Sequence, residues 1–295
     1  MITRSTATLP GCFARCQSAP ERHAERPRLA AGAVGDCANL RGVIEIEKQG
    51  KLAVFRMEHG KANAFDLEFC EAITRQLEEL SQSSLRAVVI TGHGRIFSAG
   101  VDLRRVVDEG LPYLRSFLPA LKKALETLFC FPKPVVAAIN GHAIAGGCVF
   151  ACATDHRLMA SQLGRIGIPE LLVGVPFPTL ALEIMRLAAA PTHFRALVYR
   201  GATLSPEEAK EKGLVDATVE PEKLLDEAAA AAEALAAVPP EVFTITKRQI
   251  CDPVMKRIRE DANRFDSAIE ELWTAPSTLA AIRDYIARTF KKSPD

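Results

Sequence analysis

Glu170 is the only acidic residue between Asp155 and Glu183, and apolar residues flank it in the string Gly167-Ile-Pro-Glu-Leu-Leu-Val-Gly-Val-Pro. A carboxylate in apolar surroundings has a raised pKa and becomes a competent proton acceptor or donor. Two small-residue loops lie upstream. In Arg95-Ile-Phe-Ser-Ala-Gly-Val-Asp-Leu a strand has ended at Thr91 and Asp102 opens a helix; Ala99 and Gly100 let a ligand approach the backbone. Asn140-Gly-His-Ala-Ile-Ala-Gly-Gly-Cys follows a buried strand and leads into a helix, with Gly146 and Gly147 at its start. Free N–H groups at helix N-termini can point at an anion or a polarised oxygen. Two such amide sources are what an oxyanion hole needs. Thioester chemistry at Cα passes through an enolate, whose oxygen must meet donors fixed in advance. Taken singly, each segment also fits a structural role: a tight turn with Asp102 as simple N-cap, close helix–sheet packing at the glycine pair, and a surface glutamate in a loop.

The elements that must position these residues are legible from periodicity. Val43-Ile-Glu-Ile-Glu, the turn residues Gln49-Gly50 and Leu52–Met57 read as a β-hairpin. Asp66 caps a helix over 67–80, with Leu67, Cys70, Ile73, Leu77 and Leu80 at helical spacing. Ala87–Thr91 and Pro134–Ile139 are buried strands, a long helix occupies about 111–130, residues 145–153 form a buried helix, and His156–Ala160 is a short strand. Such alternation implies an α/β fold. From about 176 the chain turns helical, with segments at 178–189, 191–200, 206–212, 221–237, 254–273 and 277–290. A β-rich beginning and a helical end suggest a core with a helical appendage of the kind that makes subunit contacts.

Composition narrows the partners. The 295 residues are 48% hydrophobic and 25% charged, ordinary for a globular chain with a large core. With 37 basic and 36 acidic residues the net charge is +1, so no global field favours nucleic acid or an anionic membrane. No apolar run reaches the ~18 residues needed to cross a bilayer. Among the eight cysteines, Cys12/Cys16 and Cys148/Cys152 are the close pairs, and no Cys/His/Asp cluster has metal-ligand spacing. Cys148 and Cys152 share one face of an apolar helix and read as buried, reduced thiols. Reduced cysteines fit a cytoplasmic setting. Residues 1–41 are rich in Arg, Ala, Pro and Ser; the first twenty hold Arg4 and Arg15 and no acid. They read as a disordered extension or as a transit peptide, which would place the protein in the mitochondrial matrix. Pro10, Pro20 and Pro27 spoil a long amphipathic helix there.

Together the motifs resemble the enoyl-CoA hydratase/isomerase (crotonase) superfamily. Phe97-Ser-Ala-Gly-Val-Asp-Leu matches its F-[SA]-A-G-x-D-[LI] element. Asn140-Gly-x-Ala-x-Ala-Gly-Gly-Cys matches N-G-x-A-x-G-G-G with Ala145 in place of the first glycine, Pro169-Glu170-x-x-x-Gly174 matches P-E-x-x-x-G, and Lys61-Ala-Asn-Ala-Phe matches the upstream N-A-[LFM]. Four motifs in order and spacing are highly specific, and the resemblance runs from about residue 43 to the C-terminus.

The resemblance implies a crotonase-like spiral of ββα units over 42–220 and a helical trimerisation region over 221–295, assembled as a homotrimer or homohexamer. It maps the oxyanion amides to Val101 and Gly146 and the catalytic carboxylate to Glu170. Lys61, Ala62, Ala64, Ala99, Gly100, Asp102, Leu103, Arg104 and Gly147 would hold the acyl-CoA, which is the substrate; no further cofactor and no metal is expected. Hydratases of the family carry a first glutamate at the position of Val149, and this chain does not. One base suffices to move a double bond, so the resemblance favours a Δ3,Δ2-enoyl-CoA isomerase over a hydratase, unless Asp108, Glu109 or Glu126 replaces the missing acid. Decarboxylation and a non-catalytic binding role are the other readings. His142 could touch substrate, and Lys291 and Lys292 could meet a CoA phosphate; a structural histidine and solvated tail charges are the plainer readings.

Overall fold

The structure is a computed structural model that describes residues 42–289, with the side chains of 261–263 left aside. The readings for residues 1–41 and for Lys291 and Lys292 lie outside the described residues. The expected hairpin forms: β1 (Ile44–Gln49) pairs antiparallel with β2 (Leu52–Met57), and Gly50 takes the positive φ of 59° that the turn requires. β3 (Ala87–Thr91), β5 (Val135–Ile139), β7 (His156–Ala160) and β10 (Ala217–Val219) extend it into a six-stranded sheet of order β1-β2-β3-β5-β7-β10, parallel from β2 onward. Every residue of β3 and β5 is buried. That is what continuous apolar strands achieve in a parallel sheet covered on both faces.

A second sheet of four short strands has order β4-β6-β8-β9: β4 (Ile96–Ser98), β6 (His142–Ile144), β8 (Ile166–Gly167) and β9 (Thr203–Leu204). The chain leaves β3 for β4 and then enters α2 (Leu103–Phe129). It leaves β5 for β6 and then α3 (Gly146–Cys152), and β7 for β8 and then α4 (Glu170–Val173). This is the expected spiral of ββα units. The small strands carry no sequence signal because two or three residues cannot establish a period. β9 and β10 likewise interrupt a stretch that reads as helical.

One face of the main sheet, with Phe55, Val88, Ile90 and Ala137, packs against α1 (Leu67–Gln82) and α2. The other face, with Val54, Val89, Val136 and Ala138, is covered by α8 (Leu224–Ala236) through Leu224, Ala228 and Ala232. The first C-terminal helix thus completes the core. α2 breaks at Gly110, whose φ of 64° and ψ of −145° separate a turn capped by Asp102 from the long helix expected from 111. α5 (Thr179–Ala188), α6 (Pro191–Arg200) and α7 (Pro206–Glu211) follow the expected bounds closely. α9 (Pro240–Thr274) begins well before the expected 254 and runs through Pro253. Cys251, Val254, Met255 and Ile258 are buried in the core, so packing outweighs the local cost of the proline. α10 (Pro276–Thr289) turns back after Ala275. No single described helix is long and apolar enough to cross a membrane.

Asn63 ties the hairpin to the second sheet. It is fully buried at a φ of 46°, its Nδ2 donates to Met57 O at 3.2 Å and Phe97 O at 3.0 Å, and its Oδ1 accepts from His59 N at 2.7 Å. Its carbonyl accepts from Ser98 Oγ at 2.7 Å. Asn63→Ala strips partners from buried groups and places alanine in a left-handed conformation, so we expect a loss of about 3 kcal/mol in urea unfolding. Asn63→Gly should recover only the backbone part. An unchanged urea midpoint in Asn63→Ala would show that the side chain is not the tie.

Candidate active site

Backbone bonding around Asn63 fixes the first small-residue loop. Ala99 N donates to Ala62 O at 3.0 Å, Phe65 N to Gly100 O at 2.7 Å and Asp102 N to Phe65 O at 2.9 Å, while Gly100 N reaches Ser98 Oγ at 3.2 Å. Val101 N–H is the one amide of this turn without such a partner among the described residues. In the second loop Ala145 N donates to Gly167 O at 2.8 Å, and Cys148 N and Val149 N both turn to Ala145 O. Gly146 N–H opens α3 with no helical acceptor before it.

The two loops touch. A Cβ on Gly100 would lie 2.7 Å from Ile144 O and 3.0 Å from Gly146 N, and one on Gly147 would lie 2.3 Å from Ser98 O. Any side chain at either position would push the amides apart. Ala145, at φ 52° and ψ −124°, holds a conformation that L residues rarely adopt, at a cost of about 1–3 kcal/mol. That strain turns the chain sharply from β6 into α3.

Val101 and Gly146 both line a cavity of about 240 Å³. Ala62, Ala64, Ala99, Asp102, Leu103, Arg104, Val149 and Glu170 line it too. The structure therefore brings together most of the residues expected from the sequence. Four stand apart from the lining. Gly100 and Gly147 are buried just behind it as spacers, Lys61 is exposed beside Ala62, and His142 is exposed at the start of β6, its N–H bonded to Arg95 O at 3.0 Å. His142 therefore does not line the cavity.

Glu170 begins α4, is 8% exposed, and its Oε2 finds no hydrogen-bond partner among the described residues. Burial pushes its carboxyl up to about 8, and a hydrogen bond to its own backbone offsets only part of that. The reading of Glu170 as a surface loop residue is therefore excluded. Asp102 is the other acid in the lining, and its Oδ1 accepts from Arg104 N at 3.0 Å and Arg105 N at 3.2 Å as a helix cap. Of the candidate replacement acids, Asp108 is exposed, Glu109 pairs with Arg105 at 2.5 Å, and Glu126 faces a separate groove beside Cys130. None of them lines the cavity. Cys148 and Cys152 are buried behind it; their mutual hydrogen bond and burial push the Cys148 thiol up, keeping it neutral.

Sequence reasoning missed the far wall. Leu121 and Leu125 of α2, Val173, Pro178 and Ala181, and Trp273 and Tyr285 from the two last helices close it. Trp273 is buried, and its indole N–H has no acceptor among the described residues. The available signal was the chain's single tryptophan next to the Ala275-Pro276 break.

Residues 47–274 match the enoyl-CoA hydratase/isomerase family. A putative enoyl-CoA hydratase of Thermus thermophilus is 32% identical over 209 residues, 70% of this chain and 82% of that protein. Mouse mitochondrial enoyl-CoA delta isomerase 1 is 27% identical over 241 residues, 79% of this chain and 83% of that one. The crystal structure of human mitochondrial Δ3-Δ2-enoyl-CoA isomerase shares the fold with a TM-score of 0.82, at 23% identity, over 85% of this chain and 100% of that one.

The buried carboxyl carries a pH signature in stability. Unfolded, Glu170 ionises near 4.5; folded, it ionises near 8. Its contribution is therefore fully present below the lower value and is lost as pH rises to the upper one. Glu170→Gln removes that loss. We expect the variant to gain on wild type by several kcal/mol in urea unfolding between pH 5 and pH 8.5, and then to level off. A constant difference across that range would place the carboxyl in water.

Proposed function

Because the chain belongs to the enoyl-CoA hydratase/isomerase family, we propose that its reaction is the shift of a 3-enoyl-CoA to the 2-enoyl-CoA. The observation that carries this reading is the acid count at the cavity: Glu170 is the one carboxyl there not engaged as a helix cap, and Val149 is buried at the position where the family's hydratases carry their first glutamate. Ionised Glu170 removes a proton from C2. The thioester oxygen gains charge as the dienolate forms, and the Val101 and Gly146 amides meet it without reorganising. Protonated Glu170 then returns the proton at C4. The apolar wall of Val149, Leu121 and Leu125 holds no group to orient a water for addition. No metal or redox cofactor enters this scheme, because only a proton moves. The hydratase reading follows the name of the Thermus relative and needs a second acid-base group.

Glu170 acts as a base, so kcat/KM should rise with pH and level off above about 8. Conjugated enoyl-thioester absorbance should grow after 3-enoyl-CoA is added, much faster than it decays after 2-enoyl-CoA is added. Hydration outrunning isomerisation by about tenfold would make the enzyme a hydratase. Glu170→Gln should lower kcat by about 10²–10⁴-fold with little change in thioester binding. More than about a tenth of the activity remaining would move the chemistry to another residue.

The same reading includes assembly as a trimer or dimer of trimers. Val242, Ile245 and Ile250 stand exposed along α9, an apolar surface suited to subunit contacts. Light scattering in dilute buffer should return a trimeric or hexameric mass; a fully active monomer would refute this part.

A further inference from the structure

Beside the Glu170 cavity lies a second one of about 310 Å³. The two share Leu121, Leu125 and Pro178. Leu121 and Leu125 stand one turn apart on α2, and Pro178 immediately precedes α5, so a single layer of apolar side chains divides the cavities. Beyond that layer Leu118, Leu180 and Ile269 supply apolar walls. Arg115, Lys122, Asp266 and Glu270 line this cavity as well, and Asp266 accepts from Lys122 at 3.1 Å and from Thr179 at 2.8 Å, clasping α9 to α2 and α5. The first cavity, at about 240 Å³, lies under the ~300–1,000 Å³ usual for a bound small molecule, and the thioester and reacting carbons occupy its Glu170 end. An acyl chain longer than a few carbons must continue elsewhere. The leucine layer is its apolar way out, and a change of leucine rotamer is what would open it.

We propose that the second cavity is an extension subsite for the acyl chain, entered between the Leu121–Leu125 pair and Pro178, and that the protein takes medium- and long-chain acyl thioesters. This rests on the first cavity being an acyl-CoA site. Saturated acyl-CoAs test it without any reaction, because they can be neither isomerised nor hydrated. In calorimetric titrations of the full chain, decanoyl-CoA should bind at least about tenfold tighter than butyryl-CoA, since added methylenes leave water for apolar walls. Ile269→Trp fills the second cavity without touching the first. It should bring the two ligands to within about twofold while leaving butyryl-CoA affinity unchanged. Leu118→Trp plugs the cavity from α2 and gives the same reading should Ile269→Trp fail to fold. Equal binding of both ligands by the wild type, or a preference that survives either folded tryptophan variant, overturns the subsite. Failure of both ligands to bind the wild type overturns instead the acyl-CoA reading of the first cavity.

Discussion

Keeping one carboxyl dry and unpartnered is the constraint from which the rest of the site follows. A buried, unpaired carboxylate is costly, and the protein responds by holding Glu170 neutral over much of the physiological range. Such a group is poised to take a proton only if nothing else in the cavity competes. A cation nearby would drop its pKa, and ordered water would solvate it. Arg104 lines the same cavity, but burial among leucines, valines, alanines and a tryptophan dominates at Glu170 and no cation offsets it. The stability given up at that one side chain is what makes it reactive, and the large core on both faces of the main sheet offsets it.

The complementary half of the site is made of backbone. The proposed reaction asks two amides to converge on one point, and amides have no rotamers to adjust, so the loops that carry them are fixed from behind. Asn63 and Ser98 bind the first loop to the hairpin, and the absence of side chains at Gly100 and Gly147 lets the second press against it. Ala145 shows the cost of the arrangement. Glycine adopts such angles easily, whereas the alanine here is held to them by the bond to Gly167 and the packing of α3. Strain of this kind persists only where the surroundings over-determine the turn.

Much of this was legible in the sequence, and for identifiable reasons. β3 and β5 declare themselves as apolar runs bounded by turn residues, α1 by its period and its aspartate cap, and the site loops by small residues at strand ends. What was not legible depends on distance along the chain. The strands of the second sheet are held by neighbours far apart in sequence and are too short to leave a pattern. The stretch of α9 before residue 254 is helical because the core requires it, against the local vote of Pro253. Whether Glu170 faced water was open from its neighbours alone. Its burial is decided partly by Trp273, more than a hundred positions later in the chain.

That last dependence gives the C-terminal helices a part in setting the surroundings of Glu170 as well as in packing. Trp273 stands near the end of α9 and Tyr285 on α10, so part of the far wall depends on the turn at Ala275-Pro276. A Cβ on Gly174 would come within 2.9 Å of the Ala281 side chain, so α10 packs directly on the turn that ends α4, the helix that Glu170 begins. Withdrawing α10 would admit water to the carboxyl and lower its pKa toward that of an ordinary glutamate. The proton affinity of Glu170 is thus set by tertiary contacts as much as by its immediate neighbours. A glutamate in the same motif, without those two helices, would be a weaker base in a wetter site.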